Sequence, residues 1–283
     1  MADLAGWFID PYEFEFMRRA LAVLIIVSVV GSVVGAYVVH KGLAFSGDAL
    51  AHSTLAGVAV AFVAGANVSL GALVAATLTA LGIGWTRDRT RVSYDTAIGI
   101  LFVAMFALGI LVMSRRTNYT PDLFSFVFGN ILGISQSDLL GALILGVAVL
   151  VFVFAFYREL LLTAYDPAMA ATVGVASRFF QYALLVLIAV TVVVALKAIG
   201  IVLVNAMLIV PAATATLLVR RLPSIMALGA GIGLGASVVG LHISFHADVA
   251  ASPAIVLAAC AAFVAVVIVQ SARGRLASGL APV

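Results

Sequence analysis

Charge is what this 283-residue sequence has least of. Only 10% of its residues are Asp, Glu, Lys or Arg, against about a quarter in soluble domains, which excludes an ordinary water-soluble fold. Lysine is nearly absent: Lys41 and Lys197 are the only two, and neither follows a glycine. A phosphate-cradling GxxxxGK(S/T) loop therefore does not exist in the chain, and any ATP chemistry must come from another subunit. Cysteine is limited to Cys260, which rules out an intrachain disulfide. The long apolar runs lack the polar–apolar alternation of a transmembrane β-barrel. Met1 to Arg19 does not read as a cleavable leader: it holds Asp3, Asp10, Glu13 and Glu15, and the apolar run after it is too long. The arginines behind the net charge of +3 sit in short connections between apolar runs, which gives no footprint for nucleic acid.

What is present is hydrophobic sequence, 65% of the chain, with a mean hydropathy of +1.26. Runs long enough to cross a ~30 Å hydrocarbon core recur from Leu21 to Gln270. They predict an all-α, polytopic transmembrane bundle forming one domain over 1–283. The spans are about nine: 20–39, 47–65, 68–85, 94–114, 137–156, 179–196, 199–219, 224–245 and 252–270. Segment 117–136, interrupted by Pro121, Gly129 and Gly133, reads as a re-entrant or short helix. Pro211 predicts a kink in its span. Arg87, Arg89 and Arg91 mark a cytoplasmic connection. Strict alternation then puts the 157–178 loop, Arg220, Arg221 and the C-terminus on that side and the N-terminus outside, with Arg18, Arg19, Arg115 and Arg116 against the trend. Within the 157–178 loop, Asp166 and Pro167 form a helix-start signature, and a short helix of small residues runs to Gly174. It is too short to span, and reads as a surface helix that either contacts a partner or rests on membrane lipid.

Four polar side chains stand out. Asp48 and His52 are spaced i, i+4, on one helix face. Asp48 has the alternative role of capping its helix, and His52 of bonding a carbonyl as neutral imidazole. His242 and His246 repeat the spacing at the end of the eighth span, with Asp248 just beyond as a further candidate. Imidazole with carboxylate suits zinc, manganese or iron, while an interfacial location would leave the second pair ordinary. Residue 243 is Ile, so the Glu of an HExxH hydrolase is missing. Ser53 beside His52 points about 100° away from it, which disfavours an intramembrane hydrolase. Asn205, Thr214 and Thr216 read as interhelical hydrogen-bonding residues that hold the bundle.

The blocks "GDALAHSTLAGVAVAF", "YDTAIGILFVAMFALGILVMS", "LFSFVFGNILGIS", "DPAMAATVGV", "LKAIGIVLVNAMLIVPAATATLL" and "GLHISFHADVAASPAIVL" resemble, in order, those of the ABC-3 family. These are permease subunits of bacterial ABC importers for zinc, manganese or iron. The first block departs from the family's GDxxxHxxLPGxAxxF at Ala56, where Pro is common. The resemblance implies a multi-pass permease of the bacterial plasma membrane, working as a homodimer with two cytoplasmic ATP-binding subunits and an extracytoplasmic metal-binding lipoprotein. It implies no permanent cofactor and a divalent cargo, with zinc favoured over manganese on the histidine content. Asp48 and His52 match the family's cation-pathway positions, His242 and His246 the opposing side. Asp166, Pro167, Ala168 and the residues to Gly174 match its ATPase-coupling helix. A permease of the siderophore or vitamin-B12 class is the competing reading, with a wide apolar channel that needs no paired Asp and His.

Overall fold

The computed structural model describes residues 10–114 and 131–278, and these residues are helical with short connections. A 3-10 turn, Asp10–Glu13, leads into α1 (Glu15–His40), followed by α2 (Ala44–Val63), α3 (Val68–Arg89) and α4 (Tyr94–Met113). After a second 3-10 turn, Ile131–Gly133, come α5 (Gln136–Ala155), α6 (Tyr157–Tyr165), α7 (Pro167–Thr172), α8 (Ser177–Leu218), α9 (Leu222–Ala247) and α10 (Ala251–Ser278). The expected re-entrant stretch at 117–136 lies mostly outside the described residues.

Among the described residues nine segments are long and apolar enough to cross a membrane, each within a few residues of its expected span. Two of them lie in α8. Its 42 residues would run to about 63 Å as one straight helix, twice the hydrocarbon thickness. The break falls at Gly200, whose φ of 79° and ψ of 166° are open essentially to glycine alone. It falls just inside the second of the two apolar segments, Ser177–Leu196 and Ala198–Leu218. The expected boundary between the two spans, 197–198, lies beside this break, and Pro211, where a kink was expected, lies within the second segment on helical backbone. Helix starts follow local chemistry: Asn67 caps α3, Ser93 caps α4, and Ser135 with Asp138 closes a capping box on α5.

The bundle has two ends. At one, Lys41 meets α6, Arg178 pairs with Asp88 at 3.3 Å, and Arg87 lies over Tyr94. Arg87 and Arg89, expected in a connection, are in the last turn of α3. At the other, N-terminal end, Tyr12 meets His242 and Ser252 meets Ile199. The starts of α3 and α5 share a cleft with Ala198 at that same end, and α4 finishes beside the upper part of α2. The nine described spans therefore alternate in direction between the two ends.

Burial sorts the helices. In α1, 72% of the apolar window is buried, against 17% in α4 and 22% in α5 and α10. So α1 is central, packed on α8, α9 and α5, while α4, α5 and α10 turn apolar faces outward. Close approach depends on small residues, as lipid gives no hydrophobic drive for helices to associate. A Cβ on Gly35 would collide with the carbonyl oxygen of Leu208, and Gly57 and Gly71 face each other's backbones between α2 and α3. Gly35→Leu should exceed the usual overpacking cost of about 1–3 kcal/mol. A lost or earlier-melting peak in detergent size-exclusion checks this, with Gly231→Ala, where a Cβ meets open space, unchanged beside it.

Candidate functional site

Asp48 is not a helix cap. The N-cap of α2 is Leu43, following a turn in which Gly42 takes a φ of 66°. Leu43 N–H donates to Val38 O at 2.9 Å and Ser46 Oγ donates back to Leu43 O at 2.6 Å, which fixes where α2 begins. At 1.5 Å per residue, Asp48 lies about 7 Å and His52 about 13 Å along a helix of about 30 Å. His52 is thus near mid-depth.

Asn205, on the second half of α8, holds Asp48. Its Nδ2 donates to Asp48 Oδ1 at 2.8 Å, and the same oxygen lies 3.6 Å from His52 Nε2. Gly47 makes room: a Cβ there would stand 2.9 Å from Asn205 Oδ1, a buried oxygen with no hydrogen-bond partner. The His52 ring meets Phe102 and Phe106 of α4 edge-on, with centroids at 5.4 and 5.8 Å. The Asn205 amide and the His52 imidazole thus lie against the same carboxylate oxygen, Oδ1. The Asp48 side chain is 51% exposed and that of His52 28% exposed, on the same face as Phe45. Sequence reasoning assigned Asn205 to general bundle contacts. Only the register of α8 against α2 identifies Asp48 as its partner.

The second pair is built differently. His242 is buried, its Nδ1 2.9 Å from Val238 O one turn earlier and 3.3 Å from Tyr12 Oη. Nδ1 is therefore engaged by a carbonyl, and any ligation would fall to Nε2. His246 is exposed, its ring centroid 6.3 Å from that of His242 and edge-on to Phe245. Asp248 is exposed too and ends α9 in the left-handed region. This pair sits at the N-terminal end, on a helix packed mainly on α1 and α10, whereas α2 packs mainly on α4 and α3. Among the described residues no three His, Cys, Asp or Glu side chains converge to hold a metal. Asp48 and His52 are the pair at membrane depth, and His242 and His246 do not join them in one cluster.

The surface helix at Asp166 forms as expected. Asp166 Oδ1 accepts from Ala168 N at 3.0 Å and Met169 N at 2.9 Å, and Pro167 occupies the first position. Gly174, at a φ of 82°, ends the segment. Ala168, Met169 and Val173 are exposed, an unusual number of apolar side chains for so short a helix. The cleft of about 770 Å³ between α9 and α10 is lined by Ala, Val, Leu, Ile, Pro and Gly, so it offers a cation nothing.

Among the described residues, nine segments long and apolar enough to cross a membrane define a polytopic helical membrane protein. The sequence profile of the ABC 3 transport family matches residues 13–270. A manganese transport system membrane protein of Halalkalibacterium halodurans is 40% identical over 263 residues, 93% of this chain and 90% of that protein. A probable iron transport system membrane protein of Haemophilus influenzae is 33% identical, spanning 91% and 95% of the two chains. Among solved structures, a chain of PsaBC from Streptococcus pneumoniae in complex with Fab is 36% identical. The superposition has a TM-score of 0.81 and covers 93% of this chain and 95% of that one. The chain belongs to the ABC 3 transport family, and is a multi-pass permease of a metal ABC importer of the bacterial plasma membrane.

Asn205→Leu keeps the branched shape but removes the N–H from Asp48. A hydrogen bond to a charged group contributes about 1.5–3 kcal/mol, so metal uptake should fall about tenfold or more at unchanged membrane abundance. Radiolabelled manganese uptake, normalised to immunoblot, checks it.

Proposed function

We propose that two copies of this chain form the cation pathway by apposing the Phe45–Asp48–His52 face of α2. The observation that carries this reading is the half-exposed carboxylate of Asp48 on a membrane-crossing helix. A charged side chain facing lipid costs about 2.5–3.5 kcal/mol or more at mid-membrane and less toward the helix end, where Asp48 stands about 7 Å along α2. A second copy would cover Asp48 and bring its own carboxylate and imidazole, giving two oxygen and two nitrogen donors. Such a set binds a divalent cation, and having few ligands it can exchange it.

Manganese is the cargo we favour, with iron next. Carboxylate oxygen suits manganese, and the relatives above are named for manganese and iron. Zinc was expected chiefly from the His242–His246 pair. That pair stands apart from Asp48, and His242 Nδ1 already meets a carbonyl, so zinc is not carried forward.

In this reading the arginine-rich end is cytoplasmic. Separate ATP-binding subunits dock on α7 through Met169 and Val173, and hydrolysis there alternates the dimer between outward- and inward-open states. An extracytoplasmic metal-binding lipoprotein delivers the ion at the N-terminal end, where His246 and Asp248 are exposed. Asp48→Ala and His52→Ala should each abolish manganese uptake in cells carrying the full transporter, with expression and ATPase association retained. His246→Ala should stay within about threefold of wild type, as a single exposed ligand does. Wild-type uptake by both Asp48→Ala and His52→Ala would sink the proposal.

A further inference from the structure

The surface helix and the start of α2 are joined at the arginine-rich end by Lys41. This lysine lies in the α1–α2 turn, and its Nζ donates to the backbone oxygen of Thr163 in α6 at 3.2 Å. That carbonyl cannot receive the usual helical donor. Residue 166 leaves the helix with φ −144° and ψ 90°, and residue 167 is a proline without an N–H. The Lys41 ammonium fills the vacancy and places a cation at the C-terminal end of α6, where the helix dipole favours one. Burial pushes its pKa down, and no carboxylate pairs with it among the described residues.

Two further observations lie on the same seam. The His40 ring stacks on Tyr165 with centroids 3.9 Å apart, at a tilt of 35°. The hydroxyls of Tyr37 and Thr163 are buried without a hydrogen-bond partner, although buried polar groups are nearly always satisfied. A seam holding one ammonium–carbonyl bond and two unmatched hydroxyls is under-satisfied, and a small shift there would change which groups are paired. Small shifts at packed interfaces resolve into such discrete alternatives.

We propose that Lys41 is the latch through which α7 acts on the cation site. From Lys41 the chain passes Gly42 and Leu43 directly into α2, and Asp48 follows within two turns. On the other side, Thr163 and Tyr165 run without a break into Asp166, the cap of α7. Movement of α7 thus reaches the Asp48–His52 face through side chains of the α1–α2 turn. Lys41 is a positioning residue here, acting on the pathway without touching cargo. The inference rests on α7 being the ATPase-docking helix.

The test uses the complete transporter with its ATP-binding subunits in proteoliposomes, with manganese uptake and ATP hydrolysis read in the same vesicles. Lys41→Met keeps the stem and removes the donor. It should hydrolyse ATP within about twofold of wild type while uptake per ATP falls about tenfold, the worth of one hydrogen bond to a charged group. Lys41→Arg, which keeps charge and donor, should fall between the two. Normal uptake per ATP in Lys41→Met overturns the latch. So does proportional loss of hydrolysis and uptake, or equal loss in the Met and Arg variants, since either makes Lys41 merely structural. Asp166→Ala tests the underlying reading on its own: it should weaken retention of the ATP-binding subunit on affinity resin, whereas Lys41→Met should not. Full retention in Asp166→Ala defeats the docking reading whatever Lys41 does.

Discussion

The hydrogen bond from Asn205 Nδ2 to Asp48 Oδ1 is the interaction on which the rest of this permease depends. A carboxylate at membrane depth has to be stabilised without being sequestered, because a tightly caged group could not exchange an ion. The amide takes Oδ1, which also lies 3.6 Å from His52 Nε2, and the side chain stays half-exposed. For that bond to form, the second half of α8 must lie close against α2. That closeness needs Gly47 opposite the amide and the break at Gly200 that starts the second half of α8. The most buried part of the bundle, α1 with α8 and α9, serves as the platform against which this register is set.

The same economy of polar groups appears at the arginine-rich end. In an apolar chain with two lysines, one is placed where a proline-interrupted helix leaves a carbonyl unbonded. Lys41 thereby links the α6–α7 segment to the first turns of α2. The chain would thus carry its two functional loads, partner docking and cation passage, at opposite sides of one short turn. Around these polar points the outer helices α4, α5 and α10 contribute mainly apolar surface.

Much of this was readable in the sequence, and the exceptions share a cause. Span positions were legible because an apolar run of a given length has little choice in a bilayer. The α7 start was legible because Asp166 and Pro167 act through local backbone geometry. The boundary between the two spans of α8 was legible to within a few residues, whereas the non-helical backbone of Gly200 itself was not, since no local pattern reveals it. Asn205 was assigned to bundle packing because its partner depends on the register between two helices distant in sequence. The contact of His242 Nδ1 with Val238 O was not legible, since the carbonyl one turn earlier is present in any helix and whether the ring bonds it depends on burial. Asp48 and His52 were legible as a pair by spacing, but their exposure on one face of α2 is a property of the packed chain.

That exposure gives the central claim, that the half-site of one chain is completed by the same half-site of another. Pulsed electron paramagnetic resonance of manganese bound to the assembled transporter measures this directly. The account predicts one manganese ion for every two permease chains, with nitrogen couplings from His52 of both copies that disappear in the His52→Ala protein. One ion per chain, or nitrogen couplings that persist without His52, would contradict it.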